Sequence, residues 1–476
     1  MIEQQHTPVA LEETEVQELA SHLRGTLLRP NDAGYEQARQ VYNGMIDKHP
    51  ALIARCADVA DVMAAVNFAR GHQLTLAVRG GGHNGRGLGT CNDGLVIDLS
   101  EMKGIRVDPA ARTVRVEGGC TWGEVDHATH PFGLATPSGL ISTTGVGGLT
   151  LGGGIGYLSR TLGLTIDNLL GVDMVLADGS FVTASAQEQA DLFWAVRGGG
   201  GNFGVVTSFL FQLHPISTVY GGPMLWPIEQ ARDVMKFWRD FILNAPEDIN
   251  SWFGFVTVPP APPFPEQFHL QKMCTIVWCY SGALEQAEER FKPIRTDIPP
   301  AVDFAGPIPW PVLQSLFDAL YPKGLQWYWK TDFFTELNDK AIDLHLKYSS
   351  QLPTMQSTMH LYPINGAVHR ISSQDTAFSF REANFAEVIV GVDPDPANNE
   401  RMIQWARDYW MALHPYSAGG GYINMMMEED TNTVRAAYRD NYARLAQIKA
   451  TYDPGNLFHV NQNIKPSTSR RPGVEE

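Results

Sequence analysis

Leu74-Thr75-Leu76-Ala77-Val78-Arg79-Gly80-Gly81-Gly82-His83-Asn84-Gly85 is the stretch on which the reading of the fold turns. The apolar run to Val78 predicts a short strand. It runs into a loop in which glycine allows positive φ and close approach of the backbone to a ligand. Gly80, Gly82 and Gly85 have GxGxxG spacing, and Gly199, Gly201 and Gly204 repeat it. A dinucleotide fingerprint of the Rossmann kind needs a helix opening at the loop. Here both loops run on into strand-like sequence, Leu95-Val96-Ile97-Asp98 and Val205-Val206-Thr207. A nicotinamide-binding unit is therefore disfavoured. What remains is a set of backbone N–H groups suited to an anion such as a pyrophosphate. His83, inside the first loop, either meets whatever the loop holds or is an ordinary turn histidine.

Outward from this stretch the glycine stays dense. Of 45 glycines, 28 fall between Gly80 and Gly204, which points to one domain shaped around an extended ligand. Residues 51–215 read as α+β with mixed sheets: a strand at 51–57, a helix from Ala57 to His72, then short strands and an Asp178-Gly179 hairpin. The segment from Thr136 to Gly163 is too rich in glycine for regular structure over most of its length. From Val219 glycine thins and aromatics rise. Amphipathic helices alternate there with strand-like runs, which predicts an antiparallel sheet with helices on one side. The fold class is α+β. The expected units are an N-terminal helical segment (1–44), a ligand-binding domain (45–217), a second domain (218–430), a C-terminal segment (431–466) and a tail (467–476).

The 476 residues are 44% hydrophobic and 18% charged, with a net charge of −16. That is enough apolar material for a large core and excludes disorder as the main state. The negative balance disfavours sequence-independent nucleic-acid binding and docking on anionic membranes. Five cysteines with no CxxC spacing argue against a disulfide framework or a zinc site, and no metal-ligand spacing stands out. No signal peptide and no apolar run of membrane-spanning length are visible, so a cytoplasmic location is expected. Oligomeric state has no signature here.

Four motifs occur in order: Arg79-Gly80-Gly81-Gly82-His83-Asn84, the Gly145–Leu170 run GVGGLTLGGGIGYLSRTLGLTIDNLL, the Asp191–Thr207 run DLFWAVRGGGGNFGVVT, and the Tyr452–Ile464 run YDPGNLFHVNQNI. Together they resemble the flavin-linked oxidases of the vanillyl-alcohol oxidase/p-cresol methylhydroxylase type, in the branch of berberine-bridge-like and 6-hydroxy-D-nicotine-oxidase-like enzymes. The resemblance covers roughly residues 45–466. It implies a PCMH-type FAD-binding domain of two α+β subdomains, a substrate domain, and a C-terminal segment returning over the flavin. It implies a covalent 8α-histidyl link at His83, with Arg79, Gly80, Gly81, Gly82 and Asn84 as the pyrophosphate loop. Gly147, Gly148, Gly152, Gly153 and Gly154 would line the cofactor's phosphates and ribityl chain, and Ser138, Gly139, Ser142 and Thr143 would also be cofactor-binding. Val205 would meet the adenine by its backbone, and Asn461 and Asn463 would lie near the closing segment. Some members add a cysteinyl link; the matching position here is Ile141, so none is expected. Two further departures are Thr144, where a valine is common, and Asn424, where plant-type members place a glutamate base.

The implied activity is an FAD-dependent oxidase. It takes a hydride from a CH–OH or CH–N carbon of a small to medium organic substrate and reduces molecular oxygen to H2O2. A flavin-dependent dehydrogenase or an oxidative cyclase would use the same site. A non-enzymatic ligand-binding protein is the reading from a different class. Such chemistry needs a base or hydrogen-bond acceptor and an aromatic pocket. Tyr328 and Lys330 share one strand face by alternation, and Lys330 is either a group beside the flavin or a solvated strand residue. His360 is either a base or a satisfied core histidine. Tyr422 and Asn424 complete the candidate set.

Overall fold

The computed structural model describes residues 11–427 and 430–468. The expected tail from residue 469 onward lies outside them, as do Glu428 and Glu429 of the acidic run Glu428-Glu429-Asp430. Asp430 itself caps the helix Thr431–Tyr438, its carboxylate accepting from the N–H groups of Asn432 and Thr433.

The first layer is a four-stranded sheet in the order Thr26–Leu28, Leu52–Arg55, Leu95–Asp98, Leu76–Arg79. The last three strands are parallel, and the helix Val59–Gly71 supplies their crossover. Parallel strands are covered on both faces, which accounts for Ile53, Ala54, Val96 and Ile97 being fully buried. Helical texture before residue 30 ends early: the helix Glu13–His22 gives way to Thr26–Leu28, which pairs antiparallel with Leu52–Arg55. The expected N-terminal segment is therefore built into this sheet.

The second layer is an antiparallel sheet ordered Ile105–Asp108, Thr113–Glu117, Val205–Gln212, Leu169–Val175, Phe181–Ser185. The Asp178-Gly179 hairpin forms as expected, with Gly179 at φ 83°. The glycine-rich segment holds more helix than its composition predicts, at Val146–Leu151 and Ser159–Leu162. Glycine's low helix propensity is overridden there by burial of Val146, Thr150, Ser159 and Arg160.

The third layer is the larger antiparallel sheet. Its long strands run Thr218–Pro227, Lys272–Tyr280, Ile249–Thr257, Thr358–Pro363, Phe385–Asp393, Gln326–Phe334. The helices Ala231–Asn244, Asp339–Ser349 and Asn399–Leu413 cover one face. Trp238 of the first stacks obliquely on Phe253 and Phe385 of the sheet. The opposite face looks toward the two glycine-rich layers. The C-terminal helix Asn441–Tyr452 returns to the second layer, where Leu445 and Ile448 join the core around Phe193 and Phe203.

Arg160 ties the layers together. Its buried guanidinium donates to Asn365 Oδ1 at 2.7 Å, to Ala245 O at 3.0 Å, to Pro246 O at 3.2 Å and to Ile249 O. Burial lowers its pKa to about 10, so it stays charged at neutral pH. Arg160→Met leaves those acceptors unpaired and should lower stability by about 3 kcal/mol, read as a lower urea midpoint with an unchanged slope.

Candidate active site

A cavity of about 340 Å³ lies between the glycine-rich layers and the third sheet. The loop after Leu76–Arg79 forms one wall. Its root is fixed by Arg79, which pairs with Asp98 at 2.6 Å and donates to Ala38 O. The backbone N–H groups of Gly80 to Asn84 donate to no other group among the described residues. Gly81 packs directly on Gly145: a Cβ on Gly81 would fall 2.6 Å from Gly145 Cα. That contact requires glycine on both loops.

It also brings the imidazole of His83 to 3.1 Å from Thr143 Oγ1, through Nε2. The opposite ring face stacks on Tyr42, centroids 3.9 Å apart and planes at 17°. Burial in this wall depresses the His83 pKa to about 4, so the ring is neutral at physiological pH. Asn43 clamps the same loop to the third sheet. It donates to Gly85 O at 2.6 Å and Trp327 O at 3.1 Å, and accepts from Trp327 N–H at 3.0 Å.

The far end is closed by the C-terminal return. Asn202, in the second glycine loop, donates to Gln462 O and accepts from Ile464 N–H. Asn461 donates to Gly201 O at 3.1 Å. The buried ammonium of Lys449 donates to Asp453, Asn202 O and Phe458 O. Asn461 and Gln462 line the cavity, and each has a buried carboxamide oxygen without a partner among the described residues. A cradle of unused N–H groups at one loop and orphaned carboxamides at the other fits a long, phosphate-bearing cofactor.

The whole run Arg79 to Asn84 lines the cavity, as do Gly139, Gly147, Gly148 and Asn461. Other expected positions stand one layer back. Ser138 is buried and accepts from Gln314 Nε2. Ser142 bonds Asp318 through N–H and hydroxyl. Thr143 reaches His83 from outside the lining. Val205 sits in the core opposite Val175, with Gly204 and Val206 lining the cavity instead. Asn463 has a buried, unpaired oxygen but does not line it. Gly152, Gly153 and Gly154 support other residues rather than the cavity surface. A Cβ on Gly152 would overlap the Asn424 carboxamide, one on Gly153 would press on Phe378 and Tyr422, and one on Gly154 would overlap Thr165. Gly154 N–H donates to the Tyr422 hydroxyl oxygen at 3.0 Å.

Tyr328 and Lys330 need correction. They share a strand face, but it is the face turned from the cavity. Tyr328 accepts from Arg407 Nε at 2.9 Å, and Lys330 Nζ lies 5.0 Å from the Trp410 ring centroid, both on Asn399–Leu413. Their neighbours Trp327 and Trp329 line the cavity in their place. His360, Tyr422 and Asn424 do line it. The Asn424 amide donates to Leu149 O at 3.0 Å and to the Tyr422 hydroxyl oxygen at 2.8 Å, so it orients Tyr422. Tyr42, Asn43, Trp252, Phe317 and Tyr321 escaped the sequence reading. Tyr42 and Asn43 sit in a loop whose only signal is an Asn-Gly turn, and the aromatics are typical of core.

With this geometry in hand, the family is decided by comparison. Residues 50–185 match the FAD binding domain family, and residues 421–465 match the berberine and berberine-like family. An FAD-linked oxidoreductase of Dictyostelium discoideum is 34% identical across 95% of this chain and 97% of its own length. The chain belongs to the berberine-bridge-like FAD-linked oxidoreductases. The (R)-6-hydroxynicotine oxidase of Paenarthrobacter nicotinovorans is 28% identical across 94% of this chain and 98% of its own. The crystal structure of 6-hydroxy-D-nicotine oxidase from Arthrobacter nicotinovorans superposes with a TM-score of 0.83 at 26% identity, covering 94% of this chain and 98% of that one. The protein is thus an FAD-dependent oxidoreductase with the PCMH-type α+β architecture, and FAD is the group the cradle fits.

The glycine contact gives a direct test. Gly81→Ala should yield folded protein with most of its flavin absorbance missing, because the two loops must separate. Gly71→Ala, with nothing within 4 Å of its Cβ, should load flavin normally.

Proposed function

We propose that this protein is an oxidase with FAD joined to His83 by a single 8α-histidyl bond. It acts on a CH–OH or CH–N carbon of a small to medium organic molecule and passes the electrons to molecular oxygen as H2O2. The observation that carries this reading is the placement of His83. A neutral imidazole stands in the wall of the cofactor cradle, held between Tyr42 and Thr143. Neutrality matters because only the unprotonated ring nitrogen is a nucleophile. Ile141 lines the same cavity and brings no thiol, which supports a single link.

When bound, the flavin accepts the hydride and hands two electrons to oxygen. The chain's own residues bind, orient and exclude water. Trp252, Trp327, Trp329 and Tyr362 form a largely aromatic wall facing the glycine loops, suited to holding a substrate flat and dry. Tyr422 receives N–H bonds from Gly154 and Asn424, which leaves its own hydroxyl proton to donate. Burial raises its pKa, so it acts as a neutral donor.

The test is an absorbance spectrum before and after acid precipitation. Flavin bands that stay with the pellet, and that move to the supernatant in His83→Ala, support the link; flavin that washes out of the native protein overturns it. Peroxide should form in equal amount to substrate oxidised. Because His83 is neutral above about pH 4, covalent incorporation of FAD into apoprotein should be flat from pH 6 to 8. A rise in rate following a pKa near 6.5 would show an ordinary exposed histidine instead.

A further inference from the structure

The wall opposite the glycine loops carries a two-residue device. His360 and Tyr362 lie on Thr358–Pro363 and point to the same side, as residues two apart on a strand do. Tyr362 O–H lies 2.7 Å from His360 Nδ1. With the hydroxyl donating to Nδ1, the other ring nitrogen, Nε2, carries the proton. Nε2 has no partner among the described residues, and His360 lines the cavity. The ring is held by Trp252, centroids 4.3 Å apart, and Trp252 is braced in turn by Phe317 at 5.3 Å. So a fixed polar atom projects from an aromatic surface.

Beyond the hydroxyls of Tyr321 and Tyr422, this end offers little uncommitted polarity. Thr358 Oγ1 donates to Phe255 O at 2.7 Å. Both amide hydrogens of Asn424 are engaged. Among the described lining residues no Asp, Glu or Lys occurs, and the one arginine, Arg79, is paired with Asp98 in the cofactor loop. Burial holds His360 neutral, with its pKa down at about 3. A carboxylate or ammonium brought here would be desolvated without a counter-charge. A sugar would present several hydroxyls to a surface that answers few of them.

We infer that His360, oriented by Tyr362, is the specificity-determining residue of the site, and that the substrate is an uncharged aromatic compound bearing an oxygen function that His360 Nε2 reads. This rests on the assignment of the cavity as the substrate site of the proposed oxidase and narrows its substrate class. A hydroxyl suits it, because its oxygen can accept from Nε2–H. An aromatic ring lies against Trp252 and Trp329, and its oxygen meets the imidazole.

The experiment is a titration of the purified holoenzyme, followed by the flavin difference spectrum and by calorimetry. The probes are phenol, toluene, benzoate, benzylamine and cellobiose. Phenol should bind about tenfold tighter than toluene, a ratio typical of one hydrogen bond, and tighter still than the charged probes and the sugar. His360→Leu should bring phenol down to the toluene value while leaving toluene unchanged; His360→Gln should restore part of the difference, and Tyr362→Phe should weaken it. Equal or tighter binding of benzoate, benzylamine or cellobiose overturns the proposal, as does an unchanged phenol-to-toluene ratio in His360→Leu. If His360→Leu does not fold, the five-probe ranking in the native holoenzyme decides alone. Binding needs no turnover and no covalent bond. Flavin that washes out in acid would therefore sink the His83 link and leave this result standing, and the converse also holds.

Discussion

The backbone contact between Gly81 and Gly145 is the constraint on which the site depends. One glycine ends the first, parallel layer; the other opens the short helix Val146–Leu151 of the second. No side chain fits between them. Their contact sets the floor of the cradle, presents the unused N–H groups of residues 80–84, and brings His83 to Thr143. Tyr42 then covers the imidazole from the other side, and Asn43 fastens the loop to the strand Gln326–Phe334. The lowered pKa of His83 follows from the packing around a half-buried ring that has only a neutral hydroxyl bonded to it.

The third sheet works by separating two faces. Trp327 and Trp329 point to the cavity; Tyr328, Lys330 and Asp332 point to the helices. The same division holds on Phe385–Asp393. Val388 and Val390 line the cavity, while Glu387 is buried beneath the helices, 3.6 Å from His345 Nδ1. Burial pushes the Glu387 carboxyl well above its usual range and lowers His345 to about 3. Asp332 is likewise raised by burial, to about 6, and lies 2.9 Å from His414, whose own pKa that contact raises. Lys330, Asp332 and Glu387 are thus on the helix side of the third sheet, and the described residues lining the cavity there include no Asp, Glu or Lys.

The C-terminal return completes the site from a distance in sequence. Asn202 bonds segments some 260 residues away, and Lys449 gathers three oxygens that no local turn would bring together. Each is buried and satisfied by several partners, the condition under which a buried polar group organises structure instead of weakening it. The cofactor end of the cavity therefore forms only when the last helix has docked.

Sequence alone determined the α+β class, the role of the glycine loops, the position of His83, and the order of motifs that mark a flavin-linked oxidoreductase. These are legible because glycine at fixed spacing states a backbone requirement that needs no knowledge of distant neighbours. Alternation along Gln326–Phe334 also showed that Tyr328 and Lys330 share a face. It could not say which face, because a strand with both sides buried offers the same pattern either way. Similarly, Gly152 to Gly154 read as cradle because they are glycine, whereas their neighbours Thr165, Phe378 and Asn424 make them supports. Tyr42 and Asn43 carried no local signal beyond an Asn-Gly turn, and Trp252 none that told it from core. Their roles are fixed by long-range pairings, strand register and the docking of three layers, quantities that exist only once the chain has folded.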